Sequence, residues 1–444
     1  MKIKIQIPNN NIPEKKYIID VLFSEFLGIE YSLEIKEVKN YIIKFQDKTI
    51  EINDDFFGKY PKELSYLKKE NIPEKIIFAK NKLTPEKNTP VLYGNSNIVI
   101  GGKSISCRID IFASSFFMLT RWEEYVISEK DNHGRTPDEL QLSVKHNFNE
   151  RPIVNEYAEM LRQMFAYLGF EIENKHTYKA KITHDIDFFA RYGKFPKFIK
   201  AIGGDIFVRK SLKKAINTLR LYFKIKSGKV KDPYDTFDFL MNLSEKAGLK
   251  SHFYFIPAIL GEEDAQYTIS DKKVAKTILK IKNKGHIVGI HGAYRSYKNK
   301  DLFCKELQRF PKEIKIEEGR QHFLRFKNPE TWQMLEDCKI KKDSTIGFIN
   351  NVGFRAGTCS EYSVFNVITR EKLKLKEQPL IVMEQALIKK YPDKNDFFDK
   401  IIAMKDTVKK YKGIFVVLWH NNNFNIPEWE KYKKIYEKII AEIN

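Results

Sequence analysis

The sequence predicts an α/β fold in two parts: a smaller α+β N-terminal domain over residues 1–178, then a barrel-like α/β domain over 179–444. Three observations carry this. From Lys181 onward, short apolar runs alternate with helical segments, the rhythm of a parallel sheet or barrel. Ahead of that point, short alternating strands and isolated helices are mixed without such a rhythm. Seven or eight strand–helix units then fit into roughly 260 residues, a size that suits a barrel.

In the first part, KIKIQI (2–7), YSLEI (31–35), YIIKF (41–45) and KTIEI (48–52) alternate polar and apolar residues like half-buried strands. The segment 17–29 has helical spacing and stops at Gly28. A long apolar helix is expected over 110–127, followed by the turn-rich Asp131-Asn-His-Gly-Arg-Thr-Pro137, and another over 154–169 with a glycine stop. In the second part, strands are expected at 181–186, 251–256, 286–291, 320–326, 380–387 and 414–420, with shorter ones at 344–348 and 352–356. Helices fill 236–247, 270–284, 301–309, 328–338 and 396–411. Residues 194–231 break the rhythm, interleaving Lys and Arg with Phe, Ile, Leu and Tyr. That pattern suits either an exposed helical insertion or a basic amphipathic helix at a membrane surface or over an acidic ligand.

With 444 residues, 42% hydrophobic and 31% charged, the chain can bury a sizeable core and is not mainly disordered. No apolar run reaches the ~18 residues of a membrane span, and the N-terminus alternates where a signal peptide would be continuously apolar. A cytoplasmic chain is expected, peripheral to the inner face of the membrane if the basic segment docks there. The net charge of +20 suggests nucleic acid, yet only 14 of the 78 basic residues are Arg and none precedes Arg108. Base reading and stacking lean on Arg, so no nucleic-acid partner is expected. Four dispersed cysteines form no CxxC pair, which argues against a thiolate zinc site and against a disulfide framework, and fits a reducing compartment. Any metal would need His and carboxylate ligands.

In a parallel α/β domain ligands bind where the strands' C-terminal ends converge. There the sequence places Thr183-His184-Asp185-Ile186-Asp187, Gly289-Ile290-His291, Gln321-His322, Arg355 and Leu418-Trp419-His420. Carboxylates and imidazoles from separate strand ends can build a metal site with an adjoining base and acid. Singly, each has a plainer role, Asp-x-Asp as a helix cap and any one His as a hydrogen-bonded structural residue. Glu384, in an apolar run, would either face the site or lie on an exposed edge. Tyr254 and Trp419 would line a sugar site or fill the core.

These motifs resemble those of the polysaccharide deacetylases, the NodB-homology carbohydrate esterase family 4, and the resemblance covers the C-terminal two-thirds of the chain. The resemblance implies a distorted (β/α)7 barrel with a divalent metal, most simply zinc. Thr183-His-Asp-Ile-Asp187 is similar to the family's opening acidic motif, making Asp185 the general base and Asp187 a ligand. GHIVGIHGAYRSY resembles the second motif and makes His291 a ligand. GFRAGTCSEY resembles the arginine motif, with Arg355 positioning the base, and Leu418-Trp-His420 resembles the motif of the general acid. One position departs: four residues after His291, where the family has its second metal histidine, stands Arg295, which cannot be a ligand at neutral pH. His322 is the best substitute and His184 the next. His286, at a strand start, reads as structural. The segments FFMLTRWEEY and DNHGRTP resemble an uncharacterised domain that precedes such barrels in bacterial surface-polysaccharide proteins.

The activity implied is hydrolysis of an N-acetyl, less readily an O-acetyl, group on a sugar or glycan precursor. Two alternatives stay open: a metal-free relative that binds glycan or scaffolds a complex, and a hydrolase of another non-peptide C–N bond. The sugar and the oligomeric state are not legible.

Overall fold

Alternating isoleucines build the first strand: in β1 (Ile3–Pro8) Ile3, Ile5 and Ile7 are buried while Lys4 is exposed. The computed structural model describes residues 3–192, 195–208, 210–426 and 428–444, so Lys2 of the expected first strand and residues 194 and 209 of the basic segment lie outside the described residues. The chain is mixed α/β and divides into two compact units, neither continuous in sequence. Unit 1 is Met1–Lys179, Leu324–Lys390 and Ala403–Val416; unit 2 is Ala180–Phe323, Tyr391–Ile402 and Val417–Asn444.

Unit 1 contains a six-stranded sheet of β1, β2 (Tyr31–Lys36), β3 (Tyr41–Phe45), β4 (Lys48–Ile52), β7 (Gly94–Ile100) and β8 (Ser104–Ile109), ordered β2-β1-β3-β4-β8-β7, and a small pair, β5 (Ile77–Ala79) with β6 (Thr89–Val91). The helix that begins at Ile12 runs on in π-form to Leu27 and ends at Gly28, whose φ of 68° is the left-handed stop expected there. The helix expected over 110–127 is two: Ile111–Thr120, capped by Asp110 accepting from the Ala113 amide, and Trp122–Val126. The break is Arg121, at φ 53°, whose buried guanidinium is held by Glu123, Glu124 and Gln141. Two expected strands, 344–348 and 352–356, do not form, while Tyr362–Asn366 and Glu371–Glu377 pair as an unforeseen hairpin. The run 380–387 is a two-residue strand followed by a helix beginning at Glu384.

Unit 2 holds four parallel strands, β9 (Lys179–Ile186), β10 (Ser251–Phe255), β11 (Ile287–Gly292) and β12 (Glu318–Gln321), in the order β9-β10-β11-β12. On the other side of β9, the Trp419 amide donates to the Thr183 carbonyl and the Thr183 hydroxyl to the Val417 carbonyl. The register aligns Asp185 with Tyr254 and Tyr254 with Gly289, one step from the pair Ile290–Gly319. Gly289 must lack a side chain, because a Cβ there would sit 2.5 Å from the Tyr254 ring and 2.6 Å from the Glu318 carbonyl.

Cys107 and Cys359 are buried free thiols, but Cys304 and Cys338 are disulfide-bonded, which corrects the expectation of no disulfide and removes the cysteine argument for a reducing compartment. Among the described residues, no helix is long and apolar enough to cross a membrane.

Candidate metal centre

Side chains along a strand alternate between faces, so Thr183 and Asp185 point one way from β9 and His184 the other. On the Asp185 face, β12 supplies Arg320, whose fully buried guanidinium donates to the Thr183 hydroxyl at 3.0 Å and to Asp185 Oδ1 at 2.8 Å. The second carboxylate oxygen of Asp185 lies 3.7 Å from His291 Nε2. His291, near the end of β11, donates from Nδ1 to the Arg320 carbonyl at 2.9 Å. A carbonyl can only accept, so this bond puts the proton on Nδ1 and leaves the Nε2 lone pair aimed inward.

Asp187, one residue past β9, is the hub. Its Oδ1 is 3.4 Å from His291 Nε2 and 3.6 Å from His322 Nε2; its Oδ2 is 3.6 Å from His420 Nε2. His322 sits directly after β12, where Phe323 and Leu324 take the left-handed backbone at φ 60° and 53°. Its other ring nitrogen faces Asp264 Oδ1 at 3.6 Å, and Asp264 is itself fixed by accepting from the Leu260 and Tyr294 amides. A carboxylate behind the distal nitrogen is the usual orienting partner of a ligating imidazole.

The donor geometry fits a small divalent ion. Two ligands about 2.05 Å from a tetrahedral centre are about 3.3 Å apart, close to the Asp187–His291 and Asp187–His322 separations. One donor atom each from Asp187, His291 and His322 can be chosen with all three within 4.8 Å of one another. The buried Asp187 Oδ1 has no hydrogen-bond partner, which a cation would supply. One carboxylate with two neutral imidazoles suits zinc or a similar borderline ion.

Electrostatics agree with the crowding. Burial opposes ionisation of Asp187, but His322, His291 and His420 hold its carboxyl well below the usual range. Burial would depress His291, yet Asp185 and Asp187 raise it. Behind this layer, buried Glu318 accepts from His252 at 2.5 Å, the Tyr254 hydroxyl at 2.9 Å and Lys181 at 3.2 Å. Its carboxyl is likewise held low against the pull of burial, by His252 first and then Lys181.

Thus Asp185, Asp187, His291, His322 and His420 come together in unit 2, where His184, His286, Tyr254 and Trp419 have other roles. His184 is on the wrong face: Nδ1 donates to the Trp419 carbonyl at 2.8 Å and Nε2 faces the Ser251 hydroxyl at 3.3 Å. Burial pushes it down to about 3, so it stays neutral. His286 accepts from the Ser251 amide and bonds Glu245, a structural role. Tyr254 is fully buried beneath Arg320, and Trp419, 1% exposed, donates to the Asn423 carbonyl among Phe397, Phe424 and Tyr436; both rings fill the core, which corrects their reading as sugar-site residues. Arg295 is exposed on a turn.

Arg355 and Glu384 fall in unit 1. Arg355 is bound through Nε and Nη2 to both oxygens of Glu124, at 3.0 and 2.5 Å, and through Nη1 to the Gly347 carbonyl. Burial works against the Glu124 carboxylate, but Arg355 and Arg121 bring it down to about 2. The guanidinium on Asp185 is therefore that of Arg320, and Arg355 ties GFRAG to TRWEEY. Glu384 is buried at the start of its helix and so is not on an exposed edge.

Residues 3–169 match the model of a family of unknown function (DUF7033). No curated protein matches the chain. Among solved structures, it is similar to a crystal structure of a "putative polysaccharide deacetylase from Mycobacterium smegmatis", with 14% identity and a TM-score of 0.37 over 60% of this chain and 85% of that one.

Proposed function

We propose that the chain is a metal-dependent hydrolase that removes an acetyl group, N-linked in preference to O-linked, from a sugar or glycan precursor, using a deacetylase-type distorted (β/α)7 barrel. One observation carries the reading: Asp187, His291 and His322 converge on one point with Asp185 and His420 beside it. A bound zinc or similar ion would polarise the scissile carbonyl and bring water toward neutral pKa. Asp185, held by Arg320, takes the proton of the attacking water as general base. His420, which faces the second carboxylate oxygen of Asp187, gives a proton to the departing amine. Asp187 faces all three imidazoles through its two oxygens.

The test is metal content of protein purified without chelator or nickel resin, beside Asp187→Ala and His322→Ala, followed by acetate release from acetylated sugars. About one ion per chain, lost in both variants, is expected. Asp185→Asn should keep the ion and lose at least ~10²-fold in rate. Absence of metal in the wild type after reloading, or an Asp185→Asn variant near wild-type rate, would refute the mechanism.

A further inference from the structure

Between Asp187 and the helix Phe237–Lys246 the chain makes a long excursion whose two ends are tied together beside His420. The Asn421 amide donates to the Phe188 carbonyl at 2.9 Å and the Tyr234 carbonyl at 3.0 Å, while the Thr236 hydroxyl donates to the Asn421 carbonyl at 2.8 Å. Asp232 closes the neck by accepting from the Arg191 and Tyr234 amides.

The main element of the excursion is the helix Leu212–Lys226, whose Ser211 cap accepts from the Lys214 amide. It turns Ala215 and Tyr222 inward, and Tyr222 stacks on Phe198 with ring centroids 3.8 Å apart. Its outer side is also apolar. Leu212, Ile216, Leu219 and Phe223, spaced four, three and four residues apart, form one stripe at 3.6 residues per turn and are 70, 48, 40 and 60% exposed. Phe207 and Val208, just upstream, are about four-fifths exposed. An apolar patch of this kind on a soluble unit marks something that covers it.

Charge identifies the cover. Residues 206–231 contain nine Lys or Arg and no Asp or Glu. Lys213, Arg220 and Lys224 flank the stripe on one side and Lys226 on the other, and all four are exposed. Among the described residues, no ion pair ties Lys213, Lys214, Arg220 or Lys224 to a carboxylate. A second copy would bring like charges together, and nucleic acid would leave the stripe wet. We propose that this helix seats the protein on an anionic membrane surface, the stripe entering the headgroup–acyl boundary and the cations meeting lipid phosphates. The inference does not depend on the hydrolase reading, since vesicle partition requires no activity.

The test is sedimentation of the full chain with phosphatidylcholine vesicles and with mixed phosphatidylcholine–phosphatidylglycerol vesicles at low salt. Binding to the anionic vesicles alone is expected. The double variant Leu219→Glu/Phe223→Glu should lose at least about tenfold in partition, and Lys213→Gln/Lys214→Gln/Lys224→Gln about 10–100-fold. All of these positions are exposed, so unchanged circular-dichroism melts confirm folding. No binding to anionic vesicles, binding indifferent to either variant, or a dimer broken by Phe223→Glu without vesicle binding would overturn the proposal.

Discussion

The pairing of Arg320 with Asp185 can be measured as a coupling energy. Asp185 is 2% exposed and Arg320 fully buried, with Nη1 and Oδ1 2.8 Å apart, so neither charge recovers hydration if its partner is removed. Deleting one member of such a pair costs about 3–5 kcal/mol, whereas replacing both by uncharged groups of similar volume is often near neutral. Arg320→Met should therefore destabilise unit 2 by about 3–5 kcal/mol, and Asp185→Asn by less, because the amide oxygen still accepts from Nη1. The double variant Arg320→Met/Asp185→Asn should recover at least about 2 kcal/mol relative to the sum of the singles. Denaturant unfolding of the four proteins at one pH supplies the cycle. A coupling below about 0.5 kcal/mol would mean that the two groups do not depend on each other, and Arg320 could then not be the residue that positions the base. The Arg320→Lys variant adds a functional readout, since a point charge cannot reproduce the guanidinium's simultaneous bonds to Thr183 and Asp185. It should retain metal and lose rate.

Burial pushes the carboxyl of Glu306 up to about 7, although it accepts from the Ala293 amide and the Ser296 hydroxyl, and its other oxygen has no partner. The native state then holds a proton that the unfolded chain has released, so stability should fall as pH rises from about 4.5 to 7 and level off above, by up to ~3 kcal/mol. Glu306→Gln should flatten that slope in melts from pH 4 to 8, and an unchanged slope would refute the assignment. Gly289→Ala should destabilise by about 1–3 kcal/mol, because its Cβ meets backbone as well as the Tyr254 ring. Arg355→Met should cost about 1.5–3 kcal/mol in the unfolding of unit 1, because Glu124 loses one of its two guanidinium partners and keeps Arg121, while metal content stays at wild type; loss of metal would overturn the assignment of Arg355 to Glu124.

The acidic and histidine strand ends were legible because a polar residue closing an apolar strand needs a reason, and Asp185, Asp187, His291 and His420 all stand at such closures. His322 was reached only through the gap at Arg295, although its even spacing from Arg320 already put both on one face of a strand. The same parity excludes His184, one residue out of step with Asp185. Arg320 itself gave no signal, since an arginine inside a short strand reads as an edge residue until its partner on β9 is known. Arg355 misled because a local motif does not state which carboxylate it will meet. The run at 380–387 shows a different limit: eight mostly apolar residues do not separate strand from helix by periodicity. Glycines at 347 and 353, the latter at φ 118°, explain why neighbouring apolar triplets fail to extend as strands.

The split chemistry of β9 bears on how the chain finds its alignment. Lys181, Thr183 and Asp185 occupy one side of the strand and Ile182, His184 and Ile186 the other. A slip of one residue against β10 would carry Lys181 and Asp185 to the side where Phe253 and Phe255 pack, and would bring isoleucines against Arg320 and Glu318. In a barrel lined throughout with aliphatic side chains, a slipped strand still finds hydrophobic neighbours. Here it would strand charge on both sides, so the residues that gather at the site also penalise misregistered pairings during folding.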